Sequence, residues 1–494
     1  MDAAVAQTLF LAVSLFTLLI LFIWKSTNQG DKLPPGPTPL PFLGNLLQID
    51  TSGTAKGLMK MSEKYGPVFS LYIGSEMAVV LSGYEAVKEA LIDQAEVFGG
   101  RGNMESFNQT VQGFGIAFSH GDIWKQTRQF SIMTLKDFGV GKRGIEERIQ
   151  EEAQFLLEEI RKTKELPFDP TTFFSQAVSN VICSIVFGNR FDYDDKEFHH
   201  LLKMINESFC LIGSRWGQLF DTFTNIMKHL PGPHNRIRRC FAIVEEYIAK
   251  KAKQNQETLD LNSPRDFIDS FLIKIQQGEG NSSSHFHMTN LIKTVLVLFS
   301  AATETTGTTL RYGFLILLKY PEIQERLHEE IDHVVGRQHS PCLEDRKKMP
   351  YTNAVIHEIQ RFSDISPLSL PHQVTRDVHF RGYMISKGTR VITLLHSVLR
   401  DPTQFSDPDS FNPGHFLDEN GGFKKNDAFM PFSAGKRMCP GESLARMELF
   451  VFLVSILQNF SLKSNKHPKD IDISPATSNL LSLPRFYEVS FVPR

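Results

Sequence analysis

The 494-residue sequence predicts a mainly α-helical (α+β) protein: one large domain with a long central helix and small β-sheets, preceded by one N-terminal transmembrane helix. Two segments, Gly144 to Arg161 and Arg236 to Asn255, carry apolar residues at helical spacing opposite charged faces. The 32 residues from Thr289 to the stop at Tyr320-Pro321 are also helical in pattern and would extend about 48 Å. An uncharged apolar segment, Val5 to Trp24, predicts the transmembrane helix.

Composition excludes several classes of protein. The chain has 53 Lys and Arg against 55 Asp and Glu, a formal charge of −2, so it lacks the basic character of a nucleic-acid binder. Its five cysteines are an odd set without C-x-x-C spacing, which argues against both a disulfide framework and a zinc ribbon. The 40 phenylalanines can fill a large core or line a wide apolar cavity, and composition does not choose between the two.

The segment Val5 to Trp24 is long enough to cross a membrane. Its 20 residues would reach about 30 Å as a helix, which is one hydrocarbon thickness. A cleaved secretory signal is the alternative, but Asp2 stands where a basic region is expected and no A-x-A site follows. Residues 1–24 are therefore predicted to be a membrane anchor. Lys25 and Lys32 follow it, and the positive-inside rule then leaves the remaining chain in the cytosol.

A proline-rich hinge follows the anchor and is assigned to residues 25–45. Five prolines fall in the eight positions from 34 to 41, which forbids a helix and favours a stiff spacer, with a ligand for a proline-binding domain as the alternative. Residues 46–494 show no further composition break apart from the polar stretch Gly278 to Ser284, so they are predicted to form the single catalytic domain.

Short alternating runs predict a small β component. Val68 to Ile73 and Met77 to Leu81 flank Gly74-Ser75-Glu76 and predict one hairpin. Val378 to Ile385 and Thr389 to Thr393 flank Lys387-Gly388 and predict a second.

The middle of the long helix is unusually polar. Five threonines and a glycine, which are poor helix formers, lie between Phe299 and Thr309. The Thr305 hydroxyl can bond the carbonyl of Ala301 and locally open the helix, which would make a polar notch in an apolar rod. The alternative is a buried helix whose threonines are all satisfied and whose Glu304 is paired elsewhere.

Cys439 lies just before the predicted helix Glu442 to Leu457, with Lys436 and Arg437 upstream. Backbone N–H groups and positive charge favour a thiolate there, and a thiolate is a good soft-metal ligand. An inert buried cysteine is the alternative for any isolated position.

The surrounding pattern resembles the haem-binding signature of the cytochromes P450, F-x-x-G-x-R-x-C-x-G. Every fixed position is filled, by Phe432, Gly435, Arg437, Cys439 and Gly441. Glu358 and Arg361 resemble the family's E-x-x-R pair, whose implied role is structural, and Phe411 to Phe416 resembles the segment that closes on it. His357-Glu358 also begins H-E-x-x-H, but Arg361 stands at the second histidine, so the zinc-protease alternative lacks a ligand.

The polar notch resembles the family's oxygen-activation motif, [AG]-G-x-[DE]-T-[TS]. The resemblance implies that Glu304 and Thr305 are catalytic and deliver protons to the oxygen being activated. Ala302 departs from the motif, which usually has glycine there, so the space above the haem is expected to be tighter.

Trp124 and Arg128 resemble the family's W-x-x-x-R helix, which contacts the haem propionates. The resemblance adds Arg101, His372 and Arg437 to this propionate shell, with Cys439 as the iron ligand. It covers essentially the whole chain, and three segments, 98–102, 113–118 and 133–139, look like the vertebrate microsomal family 2 branch. Members of that branch oxidise xenobiotics, fatty acids and related lipids.

The resemblance implies a membrane-anchored monooxygenase of the endoplasmic reticulum that uses haem b, O2 and a lipophilic substrate. NADPH electrons would come through a separate flavoprotein reductase, with cytochrome b5 as a further donor, since the chain has no complete G-x-G-x-x-G nicotinamide motif of its own. The alternatives are a haem-thiolate isomerase or dehydratase and a haem protein without turnover. The basic residues expected to meet the reductase are Lys125, Arg128, Lys136, Lys142, Arg143 and Lys436. The expected substrate contacts are Phe107, Phe114, Ile116, Leu298, Ala302, Leu370 and Leu480.

Overall fold

A computed structural model gives the fold of residues 33–49, 53–141, 143–278 and 284–494, together with residues 7 and 14. The described residues form mainly helices. These are α1 (Thr54–Tyr65), α2 (Tyr84–Lys88), α3 (Glu105–Val111), α4 (Gly121–Asp137), α5 (Arg143–Lys162), α6 (Thr171–Val186), α7 (Lys196–Gly213), α8 (Arg215–Thr222), α9 (Thr224–Met227), α10 (His234–Glu257), α11 (Phe267–Gln277), α12 (Met288–Lys319), α13 (Pro321–Val334), α14 (Leu343–Arg346), α15 (Pro350–Ser363), α16 (Leu395–Leu399) and α17 (Glu442–Asn459).

The strands are short. They are β1 (Val68–Ile73), β2 (Glu76–Ser82), β3 (Gly100–Arg101), β4 (His372–Gln373), β5 (Val378–Phe380), β6 (Tyr383–Ile385), β7 (Arg390–Leu394), β8 (Phe460–Lys463), β9 (Pro475–Ser478), β10 (Ser482–Pro484) and β11 (Ser490–Pro493). One five-stranded sheet has the order β1-β2-β7-β4-β3, and three two-stranded sheets pair β5 with β6, β8 with β11 and β9 with β10.

The described residues form two compact units. The first consists of the described residues within Met1–Gly102, together with Leu368–Val398 and Ala434–Arg437. It holds the five-stranded sheet, in which β2 and β7 are parallel and the other neighbours antiparallel. Its core packs one face of α1 against the sheet through buried side chains, among them Leu58, Phe69, Val80 and Leu394.

The second unit consists of Asn103–Pro367, Leu399–Ser433 and Met438–Arg494, and the long helix α12 is its centre. Helices α6, α10, α15 and α17 all pack against α12. The rings of Phe174 and Phe314 stack at 4.8 Å across the α6–α12 contact. The two helices lie close together at Gly307, where a Cβ would make an ordinary contact of 3.6 Å with the backbone of Ser175.

The structure confirms the predicted long helices and the first hairpin within a few residues. The second predicted hairpin is wrong. Strand β5 turns at Arg381 and Gly382, both at positive φ, and pairs with β6. Strand β7 leaves this hairpin and joins β2 in the larger sheet, where Ile392 lies opposite Val80. A buried central position suits β7, since four of its five residues are buried.

The predicted anchor, apart from residues 7 and 14, and the first part of the predicted hinge, residues 25–32, lie outside the described residues. Among the helices that the structure describes, none combines the length and apolar character needed to cross a membrane. The polar stretch from Gly278 to Ser284 is described only at its two ends.

Candidate active site

Cys439 lies in a tight loop before α17. Its backbone N–H donates to the carbonyl of Phe432 at 3.0 Å, which closes the loop around the sulfur. Gly435 has φ +70°, and a Cβ there would lie 1.8 Å from the Leu91 carbonyl oxygen, so only glycine fits this turn. A Cβ on Gly441 would lie 3.8 Å from the Cys439 sulfur, which places that glycine directly beside the thiol.

Burial raises the pKa of the Cys439 thiol above its usual range. The backbone N–H groups of Gly441 and Glu442 and the charge of Arg128 oppose this effect but do not overcome it. The predicted influence of backbone N–H groups and positive charge on the sulfur is therefore present, but burial outweighs it. A bound metal cation would deprotonate the sulfur directly.

Trp124 and Arg128 lie on one face of α4, as their spacing predicts. The guanidinium carbon of Arg128 lies 5.9 Å from the Trp124 ring centroid. An Arg128 N–H also donates to the carbonyl of Met438, next to the cysteine. Arg128 thus links α4 to the Cys439 loop, and burial lowers the pKa of its guanidinium.

Arg101, His372 and Arg437 lie together in the first unit, each hydrogen bonded to a backbone carbonyl. Arg101 in β3 is paired with His372 in β4, and its Nη1 donates to the Leu370 carbonyl at 3.0 Å. Arg437 Nε donates to the Gly99 carbonyl at 2.9 Å. All three side chains are buried.

His372 is neutral in this basic surrounding. Burial, and then the charges of Arg101 and Arg437, lower the pKa of His372 to about 3. Its Nδ1–H donates to the Phe98 carbonyl at 2.8 Å, and its buried Nε2 has no hydrogen-bond partner among the described residues. The patch therefore combines two buried cations with an unsatisfied polar atom, which suits an anionic ligand.

The notch in α12 keeps helical geometry throughout. The Thr305 hydroxyl donates to the Ala301 carbonyl at 2.8 Å, as predicted, and Thr309 makes the same bond to Thr305 one turn later. Helix α12 nevertheless continues without a break from Met288 to Lys319, so the expected local opening of the backbone does not occur. Thr305 is half-buried, and its neighbour Ala302 is half-buried as well.

Glu304 is buried and is held by an amide rather than by a cation. The Asn206 Nδ2 group on α7 lies 3.3 Å from both carboxylate oxygens, and the Thr308 hydroxyl is 3.5 Å from one of them. Burial raises the pKa of Glu304, while the Asn206 and Thr308 hydrogen bonds and the charge of Arg311 oppose the shift. Sequence reasoning missed Asn206, which lies 98 residues away and belongs to no motif.

A second buried carboxyl lies on the other side of the notch. Glu448 on α17 is hydrogen bonded to the Thr306 side chain, and burial raises its pKa well above its usual range. Its Oε1 has no hydrogen-bond partner among the described residues. Glu448 was also missed, because an acid inside the apolar pattern of α17 gives no signal about its partner.

Glu358 and Arg361 form the predicted pair and are completely buried. Arg361 Nε and Nη2 donate to the two oxygens of Glu358 at 2.7 Å. The remaining Arg361 donors reach the carbonyls of Leu399, Pro408 and Ser410. Glu358 also accepts from the backbone N–H of Asn412 and contacts His415, so the pair fastens α15 to the segment 399–416.

Comparison with known proteins decides the family. A family model described as Cytochrome P450 matches residues 34–491. The chain is 54% identical over 494 residues to cytochrome P450 2G1 of Oryctolagus cuniculus, covering all of both chains. It is 55% identical over 484 residues to cytochrome P450 2A13 and to cytochrome P450 2A6, both of Homo sapiens, with 98% of each chain covered. The chain belongs to the cytochrome P450 family.

As a family 2 cytochrome P450, the protein is a haem-thiolate monooxygenase that acts on lipophilic substrates and receives NADPH electrons through a reductase. Its cofactor is haem b with a cysteine thiolate ligand. The residues present fit this group. Cys439 offers the sulfur. A haem carboxylate beside His372 would favour the protonated ring, whose buried Nε2–H would then donate to that carboxylate.

The expected substrate contacts lie in different surroundings. Phe107 belongs to an aromatic cluster, with ring centroids 5.1 Å from Phe118 and 5.9 Å from Phe209 and Phe241. Phe114 packs edge-on against His287 at 5.0 Å. The two side chains buried in the second unit are Ile116 and Leu298. The half-buried ones are Ala302 and Leu480 in the second unit and Leu370 in the first.

Proposed function

We propose that this cytochrome P450 oxidises lipophilic small molecules, such as xenobiotics, fatty acids or steroid-like compounds, at the cytosolic face of the endoplasmic reticulum membrane. The observation that carries the proposal is the Cys439 loop, which offers one sulfur beside Gly441 in a turn closed by the Phe432 carbonyl. The haem, when bound, supplies the oxidising chemistry, and thiolate ligation favours O–O cleavage.

We assign the binding of haem to two groups of residues. Cys439 provides the axial sulfur, and Trp124 and Arg128 lie on one face of the adjacent α4. The second group consists of Arg101, His372 and Arg437, and the buried charges of its two arginines suit the propionate carboxylates. Carboxylates paired with arginines and a protonated imidazole would offset the cost of burying these charges.

Proton delivery is assigned to Thr305 and Glu304. The Thr305 hydroxyl is oriented by its bond to the Ala301 carbonyl. Its oxygen lone pairs remain available to accept a hydrogen bond from a proton donor such as water. Glu304 has a raised pKa, so it can hold and release a proton closer to neutral pH than an exposed carboxyl can. Asn206 fixes the orientation of that carboxyl.

The membrane location rests on the apolar segment Val5 to Trp24 and on exposed apolar side chains. In the first unit, Phe42 is 83% exposed and Leu47 is 73% exposed, directly after the proline-rich stretch. In the second unit, Trp216, Leu219, Ile226 and Leu230 are exposed on and after α8 and α9. Apolar side chains of this kind are typical of surfaces that contact a lipid bilayer.

We propose residues 1–24 as the membrane anchor, residues 25–45 as the hinge and residues 46–494 as the catalytic domain.

Cytochrome b5 is proposed as a further electron donor, and the exposed basic residues of α4 and α5 as the surface that meets acidic redox partners. Lys125, Lys136 and Arg143 are exposed, with Lys125 Nζ 4.0 Å from Asp122, whereas Arg128 is held at the Cys439 loop and Lys436 is paired with Glu96. Lys142 lies outside the described residues. The proposed docking surface is therefore centred on the exposed residues Lys125, Lys136 and Arg143.

The test is product formation by the full-length protein with reductase, NADPH and a mixed panel of fatty acids, steroids and drug-like molecules. We expect oxygenated products that appear only when NADPH and reductase are both present. Products that form equally well without reductase would contradict the proposal and indicate the isomerase chemistry instead. A haem-loaded protein that yields no product from any member of the panel would also contradict it.

A further inference from the structure

Three side chains of metal-binding types meet where the loop before α14 enters the first turn of that helix, in the second unit and outside the site described above. They are His339, Cys342 and Asp345, and one ligand atom from each lies within 4.8 Å of the other two. The closest pair is His339 Nε2 and Asp345 Oδ2, at 3.0 Å. Cys342 is a free, half-buried thiol, while His339 is exposed and Asp345 is buried. A cation can therefore reach the cluster from solvent.

The backbone of this loop is held in place by side chains from two other helices. Gln458 on α17 donates to the His339 carbonyl at 2.8 Å, and Gln150 on α5 donates to the Pro341 carbonyl at 2.8 Å. Glu146 on α5 accepts from the Leu343 N–H. Ligands carried on a fixed backbone lose little conformational entropy when a metal binds.

We propose that His339, Cys342 and Asp345 form a zinc site. Imidazole, thiolate and carboxylate are the three ligand types that Zn2+ takes in proteins, and three protein ligands leave a fourth tetrahedral position for water. The short separation of His339 and Asp345 is close to the distance between two ligands of one tetrahedral ion. Hard cations such as Mg2+ do not use a thiolate, so they should not compete.

Binding requires two changes at the ligands. The Cys342 thiol loses its proton to solvent and binds as thiolate, so one proton is released for each zinc bound. The His339 Nε2 exchanges its hydrogen bond to Asp345 for a bond to the metal, with the ring proton moving to Nδ1. Asp345 keeps its acceptor bond from the Cys342 N–H at 2.9 Å, because the same oxygen has a second lone pair for the metal.

The first test is protection of Cys342 from alkylation in the tag-free, haem-loaded full-length protein. Zn2+ alone is the probe, and the exposed Cys210 serves as the internal control. We expect Zn2+ to slow alkylation of Cys342 by about tenfold or more, because the metal-bound thiolate is no longer free to react. Cys210 should change less than about twofold, and Mg2+ should protect neither residue. An unchanged rate at Cys342 would overturn the proposal.

The second test separates a built site from zinc binding by the thiol alone. His339→Asn should abolish the protection and remove one zinc from the binding stoichiometry measured by titration calorimetry, whereas Cys210→Ser should change neither. Zinc-edge X-ray absorption of the wild-type complex should give one sulfur at about 2.3 Å and nitrogen or oxygen ligands at about 2.0 Å. Protection that survives in His339→Asn, or a zinc shell without sulfur, would contradict the three-ligand site.

Discussion

Arg361 and Glu358 form a bidentate ion pair in which both side chains are completely buried, with two N···O distances of 2.7 Å. As an exposed pair at this spacing it would contribute only about 0.2–0.5 kcal/mol. Burial changes its role, because removing one partner leaves an uncompensated charge in the interior. The pair therefore fastens the segment 399–416 to α15 through the three carbonyls that Arg361 also holds.

Replacing one partner of this pair should destabilise the fold strongly. Glu358→Gln leaves the Arg361 charge without its carboxylate, and we expect a loss of about 3–5 kcal/mol in the free energy of unfolding. Thermal unfolding and the yield of haem-loaded protein measure it. The matched control is Glu344→Gln, which breaks the exposed pair with Lys347 at the same spacing. The control should change stability by less than about 1 kcal/mol, and equal effects for both variants would contradict the structural role.

Loss of the Thr305 hydroxyl should uncouple NADPH consumption from product formation. Thr305→Val keeps the side-chain shape but removes the group that is oriented by the Ala301 carbonyl, so we expect product per NADPH to fall by about tenfold or more. Thr305→Ser should retain most of the coupling. Thr309→Val is the control, because Thr309 makes the same type of bond one turn later. A fully coupled Thr305→Val protein would rule out the proton-delivery role.

The Asn206 amide should set the pH range in which Glu304 ionises. Burial already raises the pKa of Glu304, and the Asn206 hydrogen bonds oppose that rise, so Asn206→Leu should raise the pKa further. In its proposed role Glu304 releases a proton in each turnover, so coupled product formation should fall as the pH drops through its pKa. We expect the midpoint of this fall to lie at higher pH in Asn206→Leu than in the wild type. Asn206→Gln keeps an amide, so its midpoint should lie between those of Asn206→Leu and the wild type. An unmoved profile in Asn206→Leu would contradict the assignment.

Glu448 should make the protein less stable as the pH rises. Its folded pKa lies above the unfolded value, so the folded state binds more protons and the free energy of unfolding falls with pH between the two pKa values. Glu448→Gln removes this dependence and should therefore be stabilising relative to wild type at pH 8 but much less so at pH 5. Thermal unfolding at both pH values measures the difference. Glu419→Gln, at an exposed acid, should give no such trend, and a parallel trend in both variants would contradict the prediction.

Local patterns predicted the long helices, including the one that follows Cys439, because helical spacing depends on neighbouring residues. They failed at β7 because the pairing of that strand depends on residues far away in the sequence. Both Gly382 and Gly388 are at positive φ and both can make a turn, while the partners of β7 are β4 and the sequence-distant β2. Only packing in the folded chain decides between these two pairings.

Contacts between residues that are distant in the sequence also limited the prediction of the candidate active site. Glu304 and Thr305 were found because they belong to one motif, whereas Asn206 and Glu448 reach the notch from α7 and α17. The raised pKa of the Cys439 thiol also depends on burial, which the neighbouring basic residues do not reveal. The motifs therefore proposed residues for the chemistry, and the structure added the neighbouring side chains that set their charge and orientation.

The most direct test of the central claim is the absorption spectrum of the reduced full-length protein after addition of carbon monoxide. Ligation by the Cys439 thiolate predicts a strongly red-shifted Soret band, which Cys439→His should abolish and Cys210→Ser should leave unchanged. A wild-type protein without the shifted band, or a Cys439→His protein that keeps it, would contradict the account.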